Sequence, residues 1–255
     1  MRAPDRVVLT VRLLRVGLHI VSGLAQCGLL FPFLPLARRN ARIRRWSQQL
    51  LAIFRIRLQV EGESTRAAGC ALVSNHISWI DVFVLNAIAP CRFVAKSEVR
   101  RWPVIGALAS RAGTLYVERG SRFGLRASNA AIAGHLAAGE RIAFFPEGTS
   151  SSQGALLPFH ANLFAGVVQA RAPALPVALC YLDDEGSLSE AADYVGDMSL
   201  GHSIARLLMD GPLTARAQCL PLLPPNSDRH ALAAAAHASI AAALAAPQLL
   251  QGSAC

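Results

Sequence analysis

Short apolar, β-prone runs recur along most of this chain, and helical patterns stand between several of them. The runs are Leu58–Val60, Cys70–Ser74, Arg92–Ala95, Thr114–Val117, Ile142–Phe145, Leu175–Tyr181 and Ala215–Leu220. Helical periodicity covers 78–89, 98–110, 122–138 and 159–171, and an alanine-rich stretch, 229–246, follows with Asp228 as its expected N-cap. Strands this short must share a sheet to bury their apolar side chains. Their alternation with helices restricts the chain to an α/β architecture with helices on the sheet faces. The expected fold is a central sheet of about seven strands, mostly parallel or mixed, with flanking helices. A chain of 255 residues accommodates one such domain plus an appendage.

Four of the runs are followed at once by polar residues: Asn75 and His76 after the second, Lys96 after the third, Glu118 and Arg119 after the fourth, and Pro146, Glu147, Gly148 and Thr149 after the fifth. Ligands of open α/β sheets bind beyond the carboxyl ends of the strands. If these strands are parallel neighbours, all four sets face one crevice. Lys96 is the only lysine of the chain, and its compact ammonium is not interchangeable with a guanidinium.

The segment SNHISWID, residues 74–81, supports two readings. Ser78 and Asp81 fit a capping box that opens the helix WIDVFVLNAIA. Alternatively, Asp81 folds back to hold one ring nitrogen of His76 and leaves the other as a general base. The two are compatible. Ser150, Ser151 and Ser152 follow Thr149, but no G-x-S-x-G elbow is present. The simplest nucleophile is therefore a substrate hydroxyl. In FPEGTSS, Pro146 ends the strand, Gly148 lets backbone approach a ligand, and the following N–H groups suit an anion or oxyanion.

Charge is distributed very unevenly. Residues 1–60 hold eleven arginines and one acid, whereas the other 195 residues sum to −1. Val16 to Ala37 is a run of 22 uncharged residues flanked by arginines, against about 20 needed to span hydrocarbon. His19, Gln26, Pro32 and Pro35 interrupt it, so a crossing helix and a re-entrant or tilted anchor both fit. In residues 39–58, Ile43, Trp46, Leu50, Ile53 and Phe54 recur at helical spacing with arginines opposite, the pattern of a membrane-surface helix. Packing on its own domain is the other reading. Beside so long an apolar run, lipid phosphates explain the arginines better than nucleic acid does. The chain divides into an anchor with a basic amphipathic helix (1–58), an α/β domain (59–247) and a tail (248–255). Six cysteines at irregular spacing suggest neither a zinc site nor a disulfide framework, which fits a reducing compartment.

Taken together, the motifs resemble those of the glycerolipid acyltransferase family, which includes 1-acylglycerol-3-phosphate (lysophosphatidic acid) acyltransferases. NHISWID resembles the family's NHxxxxD motif, FPEGTSS its FPEGTR motif, and RFVAKSEVRRWPVIG, GTLYVERG and ALPVAL its other blocks, in order and spacing, over residues 60–240. The resemblance implies an O-acyltransferase in which His76 deprotonates a lysolipid hydroxyl and Asp81 orients it. The acyl donor would be acyl-CoA or acyl carrier protein. Lys96, Arg119, Glu147, Gly148 and Thr149 would serve the acceptor or the transition state, with Asn75 and Pro176 in support, and no metal or other cofactor is implied. The implied location is the inner membrane of a bacterial-type cell, with the site facing the cytosol. Ser150 and His160 depart from the family pattern by removing positive charge from the acceptor side. FPEGTSS and DYVGDMSL resemble instead the branch that acylates lyso-ornithine lipids. An acyl-ester hydrolase and a non-catalytic lipid-binding protein are the remaining alternatives.

Overall fold

Short apolar segments of high β-propensity assemble into the sheet that organises this protein. A computed structural model describes residues 6–62, 68–118 and 122–246. The strands are β1 (Ile56–Glu61), β2 (Ala71–Ser74), β3 (Arg92–Lys96), β4 (Leu115–Val117), β5 (Ile142–Phe144), β6 (Ala174–Leu182) and β7 (Leu213–Cys219). They form one seven-stranded sheet in the order β1-β7-β6-β2-β5-β3-β4. Every neighbouring pair is parallel except β6 with β7, which is antiparallel. The sheet is thus mixed and mostly parallel, with a strand at each of the seven expected places. β1 begins at Ile56, ahead of the division drawn at residue 58.

All residues of β2 and β6 are buried, as expected of central strands covered on both faces. Their alternate side chains feed two cores. Leu72, Leu175, Leu179 and Tyr181 face one layer with Leu51, Phe54 and Leu85. Val73 and Ala174 face the other with Ile132, Phe164 and Ala236. The first layer is built by helices α2 (Leu36–Ile53), α3 (Asp81–Ile88) and α7 (Leu200–Met209), the second by α5 (Arg122–Ala137), α6 (Phe164–Gln169) and α8 (Arg229–Ala245). Asp228 caps α8, accepting the His230 N–H at 2.7 Å.

Several helical expectations are revised. The stretch 98–110 is split into a single 3-10 turn, Ser97–Arg101, and a short helix α4, Ile105–Arg111. Pro103 holds Trp102 extended, and Val104 follows at φ +66°, strained for a β-branched residue. Val104 is exposed rather than part of the core. Of 159–171, only Phe164–Gln169 is helical, because the His160 N–H instead donates to Pro146 O and Asn162 O accepts from Asn129. Helix α7 has no counterpart in the sequence reading, although Ser199 caps it through the His202 N–H.

The N-terminal segment forms a helical hairpin. Helix α1 (Arg6–Ala25) continues through a π turn and a 3-10 turn to Phe33, and α2 returns from Leu36. Val7–Phe33 is long and apolar enough to cross a membrane, with mean hydropathy 1.7. This apolar helix starts earlier than the uncharged run: it includes Arg12, whose guanidinium donates to Leu208 O. His19 stacks on Trp46 at 4.4 Å and their polar atoms bond each other's backbone. A Cβ at Gly23 would meet Trp46 at 2.9 Å, so glycine permits this approach. Trp46 also contacts Phe83, and Leu50, Leu51 and Phe54 are buried. The apolar face of α2 therefore packs on its own domain, not on lipid. Exposed apolar surface lies on α1 and the hairpin tip instead, at Leu14, Leu18, Leu29 and Phe33. The tail from 248 lies outside the described residues.

Candidate active site

The four strands with polar ends, β2, β5, β3 and β4, are consecutive parallel neighbours. Their carboxyl ends therefore line one edge, as the spacing of the motifs predicts. The site is built where β2 stops. Asn75, 2% exposed, carries the ladder one step further with its side chain: Nδ2 donates to Leu179 O at 2.9 Å and Oδ1 accepts from Leu179 N at 2.8 Å. This pins the backbone next to His76.

His76 is then fixed from four sides. Its N–H donates to Glu147 Oε1 at 2.7 Å, and its carbonyl accepts from Ser151 N at 2.8 Å. Its ring stacks on Phe145, with centroids 4.0 Å apart and planes inclined by 10°. Its Nδ1 lies 2.9 Å from Asp81 Oδ2. The imidazole is 21% exposed and the Asp81 carboxylate fully buried, so the histidine can meet a ligand and the aspartate cannot.

Asp81 is more heavily engaged than its neighbour. Oδ2 also accepts the Ile77 and Ser78 N–H groups at 2.7 and 2.8 Å, and Oδ1 accepts from the Tyr181 hydroxyl at 2.6 Å. Only half of the expected capping box is made: Asp81 reaches back to Ser78 N, while Ser78 Oγ is buried without a hydrogen-bond partner among the described residues. The carboxylate thus starts α3 and orients His76 with the same oxygen. In the neutral tautomer with its proton on Nδ1 against Asp81, Nε2 is left as an acceptor.

Glu147 is 3% exposed and braces the histidine loop. Oε2 accepts from Ser151 Oγ at 3.0 Å and Leu157 N at 2.9 Å, while Oε1 holds His76 N. Gly148, at φ +70°, turns the chain after it and closes a turn onto Phe145 O. Thr149 is exposed at the rim. Ser150 donates to Tyr194 O, and Tyr194 N donates to Ile77 O at 3.1 Å. The EGTS loop, the NHIS loop and the 193–194 segment are thereby tied together. Lys96 stands exposed at the end of β3, on the same edge of the sheet. Pro176 is buried within β6 opposite Val73, inside the sheet. Arg119 lies outside the described residues.

Tyr181 and Phe145 are contributions that motif reading missed. Tyr181 is fully buried, and its hydroxyl is pushed well up from the usual phenol range by burial and by Asp81. Its signal in the sequence is faint: one hydroxyl near the end of an otherwise apolar strand. Gln153 adds a second tie, accepting the Tyr181 N–H and donating to its carbonyl. Among the described residues, no three His, Cys, Asp or Glu side chains are grouped to hold a metal ion. The five described cysteines are free thiols, and burial pushes Cys180 up to about 11.

A family model described as Acyltransferase matches residues 57–180. A 1-acyl-sn-glycerol-3-phosphate acyltransferase of Neisseria meningitidis is 35% identical over 81% of this chain and 82% of its own length. A lyso-ornithine lipid O-acyltransferase of Pseudomonas aeruginosa is 37% identical over 81% of this chain and 79% of its own. The crystal structure of the 1-acyl-sn-glycerophosphate acyltransferase PlsC from Thermotoga maritima shares the fold, with a TM-score of 0.70, 18% identity and 93% of each chain covered. The chain belongs to the acyltransferase family that contains the 1-acyl-sn-glycerol-3-phosphate acyltransferases and the lyso-ornithine lipid O-acyltransferases.

Proposed function

We propose that this acyltransferase moves a fatty acyl group from a thioester, acyl-CoA or acyl carrier protein, to the free hydroxyl of a lysolipid at a membrane surface. The carrying observation is the partly exposed imidazole of His76, oriented through Nδ1 by a buried carboxylate at 2.9 Å. Nε2 takes the proton from the lysolipid hydroxyl as the oxygen attacks the thioester carbonyl. The tetrahedral intermediate collapses, the C–S bond breaks, and the imidazolium returns the proton to the leaving thiolate. Asp81 compensates the imidazolium charge during this cycle. No enzyme acyl ester is needed, because the acceptor supplies the nucleophile. Lys96, from the end of β3, and Arg119 serve the acceptor or the developing oxyanion, Thr149 borders the acceptor, and Glu147 and Gly148 shape its wall. The apolar tip of the hairpin seats the protein on the inner membrane, with the site on the cytosolic side.

The acceptor of this reading is 1-acylglycerol 3-phosphate. A specific observation favours a second one, lyso-ornithine lipid. Ser150 stands where a phosphate-gripping arginine is common in the family, and its hydroxyl is committed to Tyr194 O. With no guanidinium at this position, the loop suits a head group without phosphate better than one with it.

The test offers purified enzyme matched lysophosphatidic acid and lyso-ornithine lipid, each with acyl-CoA and with acyl carrier protein donors. Acceptor-dependent ester formation is expected. Fatty acid released at the same rate with and without acceptor would mean a hydrolase and sink the transfer reading.

A further inference from the structure

At the opposite, amino-terminal edge of the sheet lies a cavity of about 100 Å³ that the reaction above does not use. Arg92 and Arg141 line it from the starts of β3 and β5, where Arg92 N donates to Arg141 O at 2.9 Å. Arg111 closes it from the end of α4, and Arg39 from α2. Four arginines thus line a space in which Glu140 is the one lining carboxylate among the described residues; Arg39 Nε also donates to Leu34 O at 2.7 Å and Arg92 Nη1 to Gly113 O at 3.4 Å. The Glu140 carboxylate is already committed: its oxygens bind Arg92 Nε at 2.6 Å and His135 Nδ1 at 2.8 Å. Three of the arginines are half-buried, so low-dielectric walls concentrate their field in the cavity. The space equals the share of roughly three waters, which is enough for one phosphate group. Guanidinium forks match phosphate oxygens in pairs.

The position of the cavity identifies the source. Phe31, at the hairpin tip, forms part of its wall. On the same tip, Leu29 is 70% and Phe33 84% exposed. With those side chains in hydrocarbon, the cavity mouth falls at the layer of lipid phosphates, where arginines are favoured. We infer that this cavity binds the phosphate of an anionic lipid head group and docks the base of the sheet on the membrane. Inorganic phosphate offers the same chemistry without the lipid.

The test measures flotation of the full-length protein with vesicles of phosphatidylcholine alone, or with phosphatidylglycerol added. Arg39→Gln/Arg111→Gln is compared with Arg38→Gln/Arg45→Gln, which removes the same charge from exposed positions outside the cavity. The cavity pair should lose about tenfold or more in affinity for the anionic vesicles, the scale of a charged hydrogen bond. The control pair should lose several-fold less. Equal losses would mean diffuse attraction and overturn the site. The single variants Arg39→Gln and Arg111→Gln, each checked for an unchanged melting temperature, guard against misfolding of the pair. In a second arm, melting is followed with inorganic phosphate at constant ionic strength. If phosphate stabilises wild type but not the cavity pair while vesicle losses are equal, the ligand is free phosphate and the lipid assignment falls.

Discussion

The two ends of the sheet use charge in opposite ways. At the carboxyl end, Asp81 and Glu147 are buried carboxylates whose oxygens are occupied by donors from this chain: His76, Ile77, Ser78 and Tyr181 for one, His76, Ser151 and Leu157 for the other. At the amino end, four arginines line a cavity with one carboxylate among them. The first arrangement is closed on itself and spends its hydrogen bonds on holding one imidazole still. The second gathers more positive than negative charge around one space. Preorganisation of this kind suits chemistry, since a reacting group must not have to find its geometry during the reaction.

The sharpest way to break the comparison is to remove the imidazole. His76→Ala should lower the acyl-transfer rate by about 10³-fold or more, as expected for loss of a general base. Its melting temperature should fall little, because the backbone bonds to Glu147 and Ser151 remain. A folded His76→Ala enzyme with undiminished kcat would mean that the closed end of the sheet is merely structural.

Much of that closed end is legible in the sequence because its parts are short, local and in fixed order. Asn75, His76 and Asp81 lie within seven residues, and each polar strand end follows an apolar run at once. Parallel order could then be inferred from the strand and helix alternation. Tyr181 was not legible, since it stands 100 residues from Asp81 and meets it only because β6 and β2 are neighbours. The hairpin misled for a related reason. Periodicity correctly marks one apolar face on α2, yet periodicity does not say whether that face meets lipid or protein. Trp46 settles it by stacking on His19, a residue 27 positions away that looked like a flaw in the apolar run. Helix α7 is not among the helices expected from periodicity, although Ser199 and the apolar spacing of Ile204, Leu207 and Leu208 mark it.

Tyr181→Phe sharpens the comparison by opening one bond at the closed end without changing its packing. The Asp81 carboxylate would keep its three bonds at Oδ2 and lose the donor at Oδ1. A fall in kcat of about tenfold is expected, the worth of one hydrogen bond to a charged group, with KM for the lysolipid little changed. A variant that loses melting temperature but keeps kcat would make Tyr181 a packing residue only.

The smallest effect is expected at the open end, where Glu140 is the only carboxylate among the described residues that line the cavity. Burial alone would raise its carboxyl, but hydrogen bonds and charge from Arg92 and His135 outweigh burial and hold it below the ordinary value. A carboxyl depressed in the folded state contributes stability that is complete above the unfolded carboxyl's range. That contribution is lost as the pH falls through the lower, folded value. Glu140→Gln should therefore be less stable than wild type near neutral pH, and the gap should close in acid, below about pH 4. Urea unfolding midpoints of the two proteins across this range measure it. A gap that stays constant into acid would show that Glu140 acts through packing rather than charge. The arginines at this end would then be less compensated from within the chain than the contacts suggest, which strengthens the contrast with the carboxylates around His76.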